Sequence, residues 1–142
     1  MITVASILNR KNFAPVTISP GTPVLKALEI MAEKNIGSVV VMDGNRFLGI
    51  ITERDYSRKV VLNNKHSDNT SVEEIMSKDL PAVKSSDSIE HCMETMSRLN
   101  IRYMPVMEHE TLTGIISMSD VVKETILSQK ETINHLQSYI QQ

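Results

Sequence analysis

The chain has 142 residues, fifteen of them Lys or Arg against seventeen Asp or Glu, and 41% hydrophobic composition. That length can bury roughly two-thirds of the unfolded surface, and a net charge of −2 offers no general field for nucleic acid or an anionic membrane, so neither partner is expected. A lone cysteine, Cys92, rules out an internal disulfide, four scattered histidines suggest no metal site, and the lack of a basic stretch leading into a long apolar run points to a cytoplasmic protein.

The first element is the segment Val4-Ala-Ser-Ile7-Leu8, which returns as Val72-Glu-Glu-Ile75-Met76. From there the chain repeats itself: positions 16–55 align with 81–120 at a constant offset of 65, without a gap. Met31 falls on Met96, Asn35-Ile36 on Asn100-Ile101, Gly49-Ile50-Ile51 on Gly114-Ile115-Ile116, and Asp55 on Asp120. In each copy a short β-like segment (15–18, 81–84) leads through a turn rich in Ser, Pro, Gly and Asp to a helix. Val24, Ala27, Leu28 and Met31 recur at helical spacing, as do Ile89, Cys92, Met93 and Met96. Cys92 therefore reads as a small core residue, not a nucleophile, and the methionines read as core filler. Strands at 38–42 and 46–51 flank Asp43-Gly44-Asn45, a hairpin signal, and a helix follows Thr52 and, in the second copy, Ser117.

Each copy is thus β-α-β-β-α, and the chain is an α+β (mixed α/β) protein of two motifs related by a pseudo-twofold axis, plus a long C-terminal helix. The expected division is 1–62 for the first motif, 63–71 for a polar surface linker, 72–127 for the second motif and 128–142 for the helix extension. Along that last helix Val122, Ile126, Gln129, Ile133, Leu136 and Ile140 step by alternating fours and threes, a coiled-coil seam that a partner helix in a homodimer would cover, the alternative being that the helix packs back on its own module.

Gly49-Ile-Ile-Thr52-Glu-Arg54-Asp55 and Gly114-Ile-Ile-Ser117-Met-Ser119-Asp120 each set a hydroxyl and a carboxylate three residues apart at a helix entrance. Unpaired N–H groups and the helix dipole there favour an anion such as phosphate, and the Asp can accept both hydroxyls of a ribose. The alternative is a capping arrangement that needs no ligand. The two glycines would let another group approach the strand closely.

The ordered, twice-repeated set of Val-x-x-Ile-Leu/Met openings, first strands, Asn-Ile dipeptides and Gly-Ile-Ile-Thr/Ser-x-x-Asp endings resembles the CBS (cystathionine β-synthase) domain family, over nearly the whole chain. The resemblance implies a stand-alone tandem pair that binds an adenosine-containing ligand in clefts between the motifs: AMP, ADP, ATP, NAD or S-adenosylmethionine. Carried over by position, it implies Thr17, Ile18, Ile36, Gly37, Ser38, Thr52, Arg54 and Asp55 as ligand-binding in the first copy. In the second it implies Ala82, Val83, Arg102, Tyr103, Met104, Pro105, Ser117, Ser119 and Asp120. Because Arg54 is replaced by Ser119, unequal sites are expected, with the arginine-bearing one preferred. The expected function is regulatory, energy-sensing signal transduction to a protein partner in trans, with no catalytic residue and no catalytic cofactor. The alternatives are a ligand-free dimerisation scaffold and, more remotely, a small nucleotide-converting enzyme.

Overall fold

The structure, a computed structural model, describes residues 2–12 and 14–141. Helix α1 (Val4–Lys11) is followed by β1 (Thr17–Ile18), α2 (Val24–Lys34), β2 (Ser38–Asp43), β3 (Arg46–Thr52) and the short α3 (Glu53–Asp55), which runs into a π-helical stretch at Tyr56–Val61. The second half adds α4 (Val72–Ile75), α5 (Ile89–Leu99), β4 (Tyr103–Glu108), β5 (Thr111–Ser117) and the long α6 (Met118–Ile140). The second helices and the hairpins follow the order expected from the sequence, whereas the leading strand expected at 81–84 is not formed.

The asparagines of the repeated Asn-Ile dipeptides end α2 and α5. Asn35 and Asn100 adopt left-handed backbone at φ 53° and 55°, and the N–H of Ile36 or Ile101 then donates back to the carbonyl of Met31 or Met96 at 3.0 Å. Asparagine tolerates that conformation better than most residues and so closes the helix where glycine otherwise would. The hairpins also match: β2 pairs antiparallel with β3, and β4 with β5, each with one register shift, at Val41/Met42 and Val106/Met107. The first turn places Gly44 at φ 59°. The second puts His109 and Glu110 at φ 50° and 66°, a turn of the kind favoured by glycine and asparagine built here from neither.

The leading strands differ. In the first copy β1 pairs in parallel with β2, making a three-stranded sheet; in the second the expected strand at 81–84 is reduced to one parallel bridge, Val83 to Val106, beside a two-stranded sheet.

The compact units in space are cut differently from the motifs in sequence. One unit is Ala14–Leu80 and the other is Met1–Phe13 with Pro81–Gln142. Each motif thus borrows the opening helix of the other. The core of the first unit joins Val24, Ala27, Met31, Val39, Val41 and Ile51 to Val72, Ile75 and Met76 of α4. That of the second joins Ile89, Cys92, Met96, Met104, Val106 and Ile116 to Val4 and Ile7 of α1. The segment 63–71 is likewise more than a surface connection. Pro23 precedes α2 without a side-chain acceptor, and the carbonyls of Ser67 and Thr70 take the N–H groups of Leu25 and Val24 at 2.9 and 2.8 Å, satisfying donors that a helix start leaves open.

Candidate functional site

Each Gly-Ile-Ile-Thr/Ser-x-x-Asp segment carries its strand straight into a helix, so the hydroxyl becomes the N-cap and the carboxylate sits at the third helical position. In the first unit the Asp55 N–H donates to Thr52 Oγ1 at 3.1 Å while the Thr52 N–H donates to Asp55 Oδ2 at 3.0 Å. In the second, the Asp120 N–H donates to Ser117 Oγ at 3.1 Å and the Ser117 N–H to Asp120 Oδ2 at 2.9 Å. Both are complete capping boxes. The capping alternative is therefore realised in both copies, and the question passes to what else the carboxylates touch.

Each meets a lysine the sequence did not single out. Lys59, one turn further on, places Nζ 2.9 Å from Asp55 Oδ1, and Ser77, just after α4, donates its hydroxyl to the same oxygen at 3.0 Å. At Asp120 the lysine comes from α1: Lys11 Nζ lies 3.0 Å from Oδ2 and donates also to the Ile115 carbonyl at 3.0 Å. Its neighbour Arg10 pairs with the buried Glu124 at 2.8 Å. Lys59 had a legible signal, the i,i+4 spacing from Asp55. Lys11 and Ser77 had none, since they arrive only because α1 and α4 dock on these units.

The glycines do admit a close neighbour, and it is the chain itself. A Cβ at Gly49 would stand 2.7 Å from the Ser77 carbonyl oxygen, and one at Gly114 would stand 2.7 Å from Leu8 Cδ2. At Gly49 the approach is part of a bridge, Ile50 and Ser77 exchanging N–H···O=C bonds of 3.0 and 2.8 Å. That bridge delivers the Ser77 hydroxyl to Asp55.

Around the first corner the structure gathers Gly37, Ser38, Thr52 and Asp55: Ser38 is the cross-strand partner of Thr52, and the Gly37 carbonyl accepts from the Glu53 N–H at 3.3 Å. Thr17 and Ile18 lie on β1 against Val40 and Val41, while Ile36 and Arg54 are half-buried. The second corner repeats the pattern, with Tyr103 opposite Ser117 and the Arg102 carbonyl accepting from the Met118 N–H at 2.8 Å. The Arg102 side chain, Ala82 and Ser119 are exposed. By contrast, the side chains of Val83 and Met104 belong to the core cluster, and Pro105 is buried. Ser119 lines a groove of about 500 Å³ along α6 with Met118, Val122, Lys123, Ile126, Leu127 and Lys130.

Cys92 is fully buried and its thiol is pushed up to about 11 by desolvation, with a smaller contribution from Asp87, which keeps it protonated at neutral pH. Among the described residues no group of His, Cys, Asp and Glu is arranged to hold a metal ion, and no helix is long and apolar enough to cross a membrane.

The CBS domain model matches residues 4–62 and 72–126, and the chain belongs to that family as a tandem pair. CBS domains are generally regulatory, nucleotide-sensing modules that commonly bind adenosine-containing ligands. The chain is 32% identical over 123 residues to a mitochondrial CBS domain-containing protein, CBSX3, of Arabidopsis thaliana, covering 83% of this chain and 60% of that protein, so it spans less than two-thirds of that relative's length. A putative signal-transduction protein with CBS domains from Burkholderia ambifaria superposes with a TM-score of 0.82 at 40% identity, covering 89% of this chain and 96% of that one. A hexameric CBS-CP12 protein from bloom-forming cyanobacteria superposes at 0.73 with 29% identity, covering 85% and 66% respectively.

Proposed function

We propose that this chain is a non-catalytic sensor that takes an adenine nucleotide at the hydroxyl–carboxylate corner of its motifs and reports occupancy to a protein partner in trans. The carrying observation is the corner of the second motif, where the Asp120 carboxylate stands at a helix entrance with an ammonium beside it, Lys11 Nζ 3.0 Å from Oδ2. A ribose diol suits the carboxylate, while the helix N-terminus and the ammonium suit a phosphate. AMP, ADP and ATP are the primary candidates, with NAD and S-adenosylmethionine sharing the same adenosine. The module pairs with a second copy through the exposed stripe of α6, and its site of action is the cytoplasm.

A ligand-free scaffold is the competing reading, favoured by the completed capping boxes. Thermal denaturation with each nucleotide separates the two. A ligand at a hundred times its dissociation constant stabilises the fold by roughly 2.7 kcal/mol, which moves the melting midpoint by several degrees. An unchanged midpoint with all five adenosine compounds would leave the scaffold standing.

A further inference from the structure

We infer that the two corners are not equivalent: Lys59 and Ser77 hold the Asp55 carboxylate shut, so the second motif is the one that accepts ligand, and the Lys59–Asp55 pair decides whether the first motif binds at all. This rests on the nucleotide reading above and deepens it.

An ionised carboxylate offers about four acceptor positions. At Asp55 all four are taken. Oδ1 receives Lys59 Nζ at 2.9 Å and Ser77 Oγ at 3.0 Å, and Oδ2 receives the Thr52 N–H and the Thr52 hydroxyl, both at 3.0 Å. The side chain is 7% exposed. A ribose would have to displace a charge-assisted bond where little water can replace it.

Asp120 is arranged otherwise. Its Oδ2 takes the Ser117 N–H at 2.9 Å and Lys11 at 3.0 Å, whereas no donor among the described residues reaches Oδ1. The side chain is 19% exposed. The vacancy has a cause in the repeat. At the offset of 65 the position of Lys59 is taken by Glu124, whose carboxylate is turned to Arg10, so α6 carries no ammonium at that position. The counter-charge comes instead from α1 and lands on the oxygen that the cap already holds. The helix differs as well: the stretch after Asp55 is π-helical, the one after Asp120 regular α-helix. In place of the sequence-based preference for the arginine-bearing first motif, the geometry ranks the second motif ahead.

Equilibrium dialysis with AMP tests this directly. Wild-type protein should bind one AMP per chain. Asp120→Asn should weaken that binding roughly tenfold or more, equivalent to about 1.4 kcal/mol. Lys59→Gln should open a second equivalent, which adding Asp55→Asn removes again. Since Lys59→Gln leaves Asp55 without its counter-charge and puts folding at risk, Ser77→Ala makes the same test through a neutral hydrogen bond, with melting curves confirming that the variant is folded. Two equivalents in the wild type, a single site lost through Asp55→Asn, or one equivalent retained in both opened variants would overturn the inference. Absence of binding throughout, with ATP and NAD substituted for AMP, would instead overturn the nucleotide reading on which it stands.

Discussion

Gly49 and Gly114 occupy the same place in the repeat, yet the atoms facing them differ in kind. An added methyl at Gly49 meets the Ser77 carbonyl oxygen at 2.7 Å and the Met76 side chain at 3.1 Å, and that oxygen is fixed by its bond from the Ile50 N–H. At Gly114 it meets only a terminal methyl of Leu8, which can turn to another rotamer. Gly49→Ala should therefore cost about 1–3 kcal/mol, the usual range for forcing extra volume into a packed site, and Gly114→Ala about 0.5–1.5 kcal/mol, the cost of an off-rotamer side chain. Urea unfolding of both variants measures the difference, and equal losses would show that the Ser77 carbonyl yields as easily as a leucine. The sequence announced that something approaches these glycines; it did not announce that the visitor is the chain's own α4 or α1. His109 and Glu110 were equally opaque, because nothing in their identity asks for left-handed backbone, and the hairpin register imposes it.

Helix and strand order was legible because both copies carry their periodicity and their turn residues twice, and agreement between two drifting copies filters accident from design. The pairing of helices with cores was not legible. Val4-x-x-Ile7 and Val72-x-x-Ile75 present the same apolar pair, so either core could take either helix; the exchange is settled by tertiary packing that local pattern does not contain. The capped hydroxyl–carboxylate corners followed from spacing alone, whereas Lys11 and Ser77 reach them only through that exchange. The consequence can be tested with fragments. Residues 14–80 hold a complete core, including Val72, Ile75 and Met76, while residues 1–62 lack all three. Burying each such side chain contributes about 1.5–3 kcal/mol, against a total for a small domain of only about 5–15 kcal/mol. The 14–80 fragment should show helical circular dichroism and a cooperative melt, and the 1–62 fragment neither. A 1–62 fragment that melts as cooperatively as 14–80 would mean that α4 is dispensable to this core.

Among the described residues, none covers the outer stripe of α6. Val122, Ile126, Ile133, Leu136 and Ile140 are all exposed, from 45% at Val122 to 80% at Ile140, and beyond Ser128 every described residue of the helix is exposed. Read as heptads, isoleucine fills one core position at 126, 133 and 140, and Val122, Gln129 and Leu136 fill the other, a composition suited to a two-stranded parallel pair. Parallel pairing sets Gln129 against its counterpart, where the two amides satisfy each other. An antiparallel pairing centred on Lys130 would instead oppose two ammonium groups. For this chain the expectation is a dimer whose melting midpoint rises with protein concentration, because association stabilises the folded form by mass action. The double substitution Ile133→Asp, Leu136→Asp places four carboxylates in the seam of a pair while touching no buried residue, so it should yield a folded monomer with a concentration-independent midpoint. Sedimentation velocity reads the outcome: a wild type that sediments as a monomer, or a double variant that remains dimeric, assigns the α6 stripe to some other contact.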